Sequence, residues 1–154
     1  MSPSPAIQPP CAGQTPCAGD VETLARTLWG EARGEPLAGL VAVAHVVVNR
    51  ARRPGWWSEP DHTLTAVCRR PWQFSCWNTD DPNRVLLNDL TLATPAFRRA
   101  MMVACGVVDG RDGFAEDPTG GATHYHNTAV APPWAQGHRP SARIGRHLFF
   151  NDIE

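Results

Sequence analysis

The sequence predicts an α+β domain, mainly helical, that ends in a small β-hairpin. Three observations predict it. Through most of the first 108 of the 154 residues, apolar side chains recur at helical spacing. Two late segments, ATHYHN (122–127) and ARIGRHLFFN (142–151), alternate as strands do. Helices first and strands last is the order of an α+β chain, and this length suits one core. Residues 1–19, rich in Pro and small side chains, read as an extended arm, and 20–154 as the folded unit.

The elements follow in order. Asp20 is an N-cap candidate for VETLARTLWGEAR, where Val21, Leu24, Ala25 and Leu28 repeat on one face. Gly34 and Pro36 end that helix, and Pro36 suits the first turn of the next, PLAGLVAVAHVVVNRARR. This second helix is apolar on nearly all sides, so it should lie at the centre of the core. RRPGWWSEPDH reads as a surface loop, Thr63–Arg69 as a short helix and Trp72–Trp77 as extended. Asn83–Leu92 and Pro95–Val108 are two more helices, and TAVAPPWAQGHRP is an irregular Pro-rich loop.

Composition narrows the function. The formal net charge is −1, which excludes a strongly basic nucleic-acid binder. The longest apolar run, Val41–Val48, is far short of the ~20 residues that span a bilayer. The first 20 residues lack the basic and apolar regions of a secretory signal. All 14 basic residues are arginine, so lysine nucleophiles, Schiff bases and P-loop chemistry are excluded. The positive charge is grouped at Arg50, Arg52 and Arg53, at Arg69 and Arg70, at Arg98 and Arg99, and at Arg139, Arg143 and Arg146. With acids at 22–35 and 109–117, this suggests an acidic catalytic region and basic surfaces elsewhere. The five cysteines are Cys11, Cys17, Cys68, Cys76 and Cys105. The odd number leaves one thiol unpaired; Cys68 and Cys76 could bridge a short loop if their Cα separation permits, and Cys105 reads as a small buried hydrophobe.

The densest chemical signal is WGEARGE, Trp29–Glu35, at the end of the first helix. A carboxylate at a helix C-terminus meets partial negative charge, and Trp29 would shield Glu31 from water. Both effects raise the Glu31 pKa and suit it to protonate a leaving oxygen. Glu35 lies past the helix break, on the same side as Glu31. It therefore reads as structural, paired with an arginine or capping the next helix, as does Arg33 beside it. A rival signal is His124-x-His126, which with His138 or His147 could bind zinc in a cell-wall amidase or peptidase. A non-enzymatic glycan-binding or phage structural role is the third class.

The stretch WGEARGEPLAGLVAVAHVVVNR, with PWQFSCW (71–77), DPTGGATHYHN (117–127) and IGRHLF (144–149), resembles the SleB/CwlJ-like cell wall hydrolases. That resemblance, covering about residues 21–150, implies a lysozyme-like, lytic-transglycosylase-like fold acting on peptidoglycan glycan strands without a cofactor. It implies Glu31 as the single catalytic acid at the bond between N-acetylmuramic acid and N-acetylglucosamine. Gln73, Phe74 and Ser75 fall in a segment expected to line the cleft. Trp72 or Phe74 would stack on a sugar, Gln73 would bond an N-acetyl group, and Tyr125 and Asn127 would position the strand. By strand alternation, His124 and His126 should share one face, opposite Tyr125. A bare domain without a signal suits a phage or prophage endolysin held in the host cytoplasm until a holin releases it. It also suits a wall hydrolase packaged in a particle, the arm docking on a phage or particle protein.

Overall fold

A computed structural model of the chain describes residues 18–55 and 62–154. The expectations for residues 1–17 of the arm, including Cys11 and Cys17, and for the centre of the 52–62 loop lie outside these residues, whereas Ala18 and Gly19, expected in the arm, begin the first helix. Five α-helices are described: α1 Ala18–Ala32, α2 Leu37–Arg52, α3 Leu64–Arg69, α4 Pro82–Leu87 and α5 Pro95–Asp109. Three strands follow: β1 His124–Asn127, β2 Ala142–Ile144 and β3 His147–Phe150. None of these helices is long and apolar enough to cross a membrane.

Helix α2 is the centre. Every residue from Gly39 to Val47 is buried, as its all-round apolar pattern requires, and it packs on α1, α3, α5 and β2. Its one polar residue in that stretch, His45, is satisfied at Nε2 by the Phe114 carbonyl, 2.8 Å away. Helix α1 buries Leu24, Ala25 and Leu28 and runs against α5, which contributes Phe97, Ala100, Val103 and Ala104.

Several local expectations are corrected. Asp20 is not the N-cap of α1 but lies in its first turn, where its carboxylate accepts from Thr65 N (3.0 Å) and Thr65 Oγ1 (2.6 Å). The acid thus ties α1 to α3, whose own cap is the Thr63 hydroxyl. Helix α4 ends at Leu87, five residues early. The 72–77 stretch is not extended: a turn closed by Gln73 N to Arg70 O leads into a 3-10 turn at Ser75–Trp77. Cys68, Cys76 and Cys105 are free thiols, so the bridge considered for Cys68 and Cys76 is not formed; those two are buried, and Cys105 is half-buried rather than buried.

The expected late hairpin is a three-stranded antiparallel sheet in the order β1-β3-β2. The second strand candidate splits at Gly145-Arg146 into the β2–β3 hairpin, and the registers are Tyr125↔Phe149 and Ile144↔His147. One face carries Tyr125, Ile144, His147 and Phe149, the other His124, His126, Leu148 and Phe150. The alternation expected for His124, His126 and Tyr125 is therefore what the register gives.

Glu35 explains the split. Its buried carboxylate accepts from Arg146 N at 3.2 Å and lies 3.6 Å from Arg146 Nε. Gly145 has φ +57°, and a Cβ there would collide with Glu35 Oε2. Gly145→Ala should therefore destabilise the domain by about 1–3 kcal/mol in urea unfolding. A variant as stable as wild type would show that the Glu35 contact is not what shapes this turn.

Candidate active site

Glu31 lies in the last turn of α1, and Gly30 before it is what admits the rest of the site. A Cβ on Gly30 would come within 2.5 Å of Cys76 Cβ and 2.6 Å of its sulfur. Without that side chain, the 75–77 turn packs directly on α1. Cys76 N then donates to Glu31 Oε1 over 3.4 Å, and Trp77 Nε1 donates to Thr27 Oγ1 at 2.9 Å. From the sheet, Tyr125 Oη donates to Glu31 Oε2 over 3.3 Å, its ring packed against His147 and Phe149.

Burial pushes the Glu31 carboxyl above the ordinary carboxylate range. The donors of Cys76 and Tyr125 pull it down, and the charge of Asp81 adds to the rise. The direction is the expected one, but its chief cause is desolvation. Trp29 is buried in the core and carries the Arg33 guanidinium over its ring at 4.0 Å. Arg33 also donates to Trp29 O and Asn83 Oδ1, so it staples the end of α1 to α4.

The residue that sequence reasoning missed is Arg50. Grouped with Arg52 and Arg53 as a basic surface, it is instead 5% exposed and beside the site. Its Nε donates to Thr123 O at 2.6 Å, and its Nη1 to Gln73 Oε1 at 3.2 Å. Burial lowers its pKa to about 10, while Tyr125, Cys68 and Glu31 oppose that shift. The signal was present: an arginine in register with Val43, Val46 and Val47 on a helix that is otherwise core. Arg50 is thus a buried cation bonded to Thr123 and Gln73, not part of a basic surface.

The other candidates separate. Arg50 can only donate, so Gln73 must present its oxygen there and its amide hydrogens elsewhere. Phe74 is 2% exposed, under the Arg50 guanidinium, so its ring is not open to a sugar; it supports Arg50. Ser75 is exposed at the start of the 3-10 turn. Asn127 is exposed at the end of β1, where its Oδ1 accepts from Ala129 N. Trp72 is 77% exposed at φ +69°, the one positive φ outside glycine among the described residues. Glu35, bound into the hairpin turn, does not face Glu31 across a cleft.

The four histidines of the zinc reading do not converge. His124 and His126 lie against Trp134 on the outer face of the sheet, His147 lies on the inner face, and His138 sits 3.1 Å from Asp152. Among the described residues, no three His, Cys, Asp or Glu side chains group as a metal site.

The domain is thus mainly helical, with a small sheet whose Tyr125 meets one desolvated carboxylic acid, Glu31. The fold matches the crystal structure of the catalytic domain of the Bacillus cereus SleB protein with a TM-score of 0.64 and 25% identity, over 97% of this chain and 99% of that one. It matches the catalytic domain of the germination-specific lytic transglycosylase SleB from Bacillus anthracis at 0.62 and 28%, over 92% and 99%. The chain belongs to the cell wall hydrolase family, whose profile matches residues 34–150. It is 36% identical over 133 residues to the spore cortex-lytic enzyme of Halalkalibacterium halodurans, a match covering 86% of this chain. The chain spans about a third of that relative's length, 34%.

The raised Glu31 pKa carries a stability consequence. The folded state prefers the neutral carboxyl, so this stabilisation is full below the unfolded pKa and is lost as pH rises through the folded one. Glu31→Gln should therefore raise Tm at pH 8 and leave it nearly unchanged at pH 4. A Tm difference that does not widen with pH would contradict a desolvated carboxylate at this position.

Proposed function

We propose that this domain cleaves peptidoglycan glycan strands between N-acetylmuramic acid and N-acetylglucosamine, with Glu31 as the single acid and base. The observation that carries the reading is the Glu31 carboxyl, desolvated yet held by Cys76 N and Tyr125 Oη. Such a group stays protonated at higher pH than a solvated glutamate, as a general acid must.

Glu31 gives its proton to the bridging oxygen as the C1–O bond of the muramic acid breaks. The carboxylate left behind then takes the proton of the same sugar's 6-hydroxyl, whose oxygen bonds to C1. The product is a 1,6-anhydro end and no water is consumed, the lytic transglycosylase outcome. This step needs one carboxylate, and the second acid of the motif, Glu35, is engaged with Arg146. A retaining pair would need a partner carboxyl about 5–5.5 Å away across the sugar.

Gln73 has its oxygen on Arg50, so its amide hydrogens are suited to an N-acetyl carbonyl. The exposed Trp72 indole, held out on a strained backbone, suits the apolar face of a sugar further along the strand. Ser75 and Asn127 are exposed polar groups on the two segments that carry Cys76 and Tyr125 to Glu31. The folded unit is taken as 20–154 and the arm, 1–19, as a separate segment. The relatives described above are named for spore-cortex lysis, so the phage or particle setting rests on the sequence reading alone.

Glu31→Gln keeps size and removes the acid. It should slow solubilisation of purified cell walls by roughly 10²–10⁴-fold or more, and wild-type clearance by this variant would refute the assignment. Mass spectra of the wild-type products should show ends one water lighter than reducing ends; reducing ends instead would make the enzyme a muramidase. Trp72→Ala should raise the glycan concentration at half-maximal rate several-fold, about the ~1 kcal/mol of one aromatic contact, without lowering Tm. An unchanged half-saturation would remove Trp72 from the binding surface.

A further inference from the structure

We propose that Arg50 is a positioning residue for specificity: by holding the side-chain oxygen of Gln73 it turns the Gln73 amide hydrogens to the strand, and the site thereby selects N-acetylated over de-N-acetylated amino sugars. This rests on the reading of the domain as a glycan-strand enzyme and adds which form of the strand it takes.

The guanidinium is fixed before it meets Gln73. Its Nε donates to Thr123 O at 2.6 Å, and the buried Phe74 ring lies 5.2 Å from its central carbon. Its Nη1 donates to Gln73 Oε1 at 3.2 Å. A glutamine amide has two orientations related by a half-turn. In the other one the NH2 group would face the guanidinium, donor against donor beside a buried charge. Arg50 therefore excludes that orientation. The Gln73 backbone is held as well, its N–H donating to Arg70 O at 3.3 Å. The side chain is half-buried, and its Nε2 has no hydrogen-bond partner among the described residues.

The two segments that Arg50 joins are the two that reach Glu31. Gln73 leads into the turn whose Cys76 N donates to Oε1, and Thr123 leads into the strand whose Tyr125 Oη donates to Oε2. The Gln73 amide is thus displayed beside the proposed acid. An N-acetyl group brings a carbonyl oxygen, which accepts from Nε2. A free amino group at the same sugar carbon is an ammonium at mildly acid pH. It has only hydrogens to offer, and its charge adds to that of Arg50. Selection therefore comes from a lost bond and from a repulsion together.

The test is a ratio: kcat/KM on N-acetylated glycan strands over kcat/KM on the same strands de-N-acetylated, at mildly acid pH. Wild type should favour the N-acetylated strands roughly tenfold or more, and chemical re-acetylation should restore the rate. Gln73→Glu keeps an acceptor for Arg50 and removes both donors. Its ratio should fall roughly tenfold, with Tm unchanged or raised by the charge-assisted bond. Arg50→Lys keeps the charge but loses the planar fork that serves Thr123 and Gln73 together. Its ratio should fall several-fold, and the same change in the Gln73→Glu background should lower the ratio no further. A wild-type ratio near one, a rate that re-acetylation does not restore, or a wild-type ratio in Gln73→Glu overturns the proposal. Arg50→Lys that slows both strands alike, with the ratio unmoved, also overturns it and leaves Arg50 a tie to Thr123. If Arg50→Lys does not fold, Gln73→Glu alone decides. Wild-type activity in Glu31→Gln would remove the acid and leave the wild-type ratio as it is, so the two readings fail separately.

Discussion

The site depends on one stitch between the end of α2 and the segment that enters the sheet. Asn49 Nδ2 donates to Ala122 O at 2.9 Å and to Asp117 Oδ2 at 2.9 Å, and Arg50 Nε donates to Thr123 O at 2.6 Å. Two residues of a buried helix thereby fix the chain immediately before β1, and with it the placement of Tyr125. Asp117 completes the loop, accepting also from Thr119 N, Thr119 Oγ1 and Gly121 N. Such a set of donors holds its carboxyl below the usual range even though its partial burial acts the other way. The Arg50 guanidinium also reaches Gln73, in the turn that precedes Cys76. A buried charge is tolerated only when its hydrogens are used, and here two of its partners are segments that must meet at the site.

That stitch bears on Glu31 through Tyr125. Burial is the larger effect on the Glu31 carboxyl and its pKa rises, against the donors of Cys76 and Tyr125. The proposed acid-and-base role of Glu31 asks for such opposing influences: burial favours the proton, and the donors of Cys76 N and Tyr125 Oη receive the carboxylate. Arg50 spends its hydrogens on Thr123 and Gln73, so its influence on Glu31 is through the field rather than through a contact ion pair.

What the sequence made legible follows the physics of each segment. Helix α2 could be read outright because burial on all sides writes itself as an unbroken apolar run. The raised pKa of Glu31 was legible from its place at a helix end, and Tyr125 could be assigned a face because strand alternation has a period of two. The 72–77 stretch could not be read. Its shape is set by a turn at Trp72 and by Gly30 on another helix, and neither has a local periodic signature. Asp20 looked like a cap because an acid before a helix usually is one; its partner, Thr65, lies 45 residues away. Arg50 was read by charge rather than by helical register. Register alone places it among the core valines.

The two acids of the motif show why spacing does not decide role. Glu31 and Glu35 are four apart, and on a continuous helix they would be neighbours. The helix stops at Ala32, and the chain turns through Gly34 before Pro36 opens α2. That break points the second carboxyl at the β2–β3 turn, where Arg146 N, the Arg146 guanidinium and the space over Gly145 receive it. Arg99 reaches the Glu35 carbonyl from α5 at 3.2 Å. The hairpin so anchored carries His147 and Phe149, the two rings against which Tyr125 packs. Glu35 therefore acts on the proposed centre at one remove: it holds the hairpin, the hairpin packs on Tyr125, and Tyr125 donates to the Glu31 carboxyl.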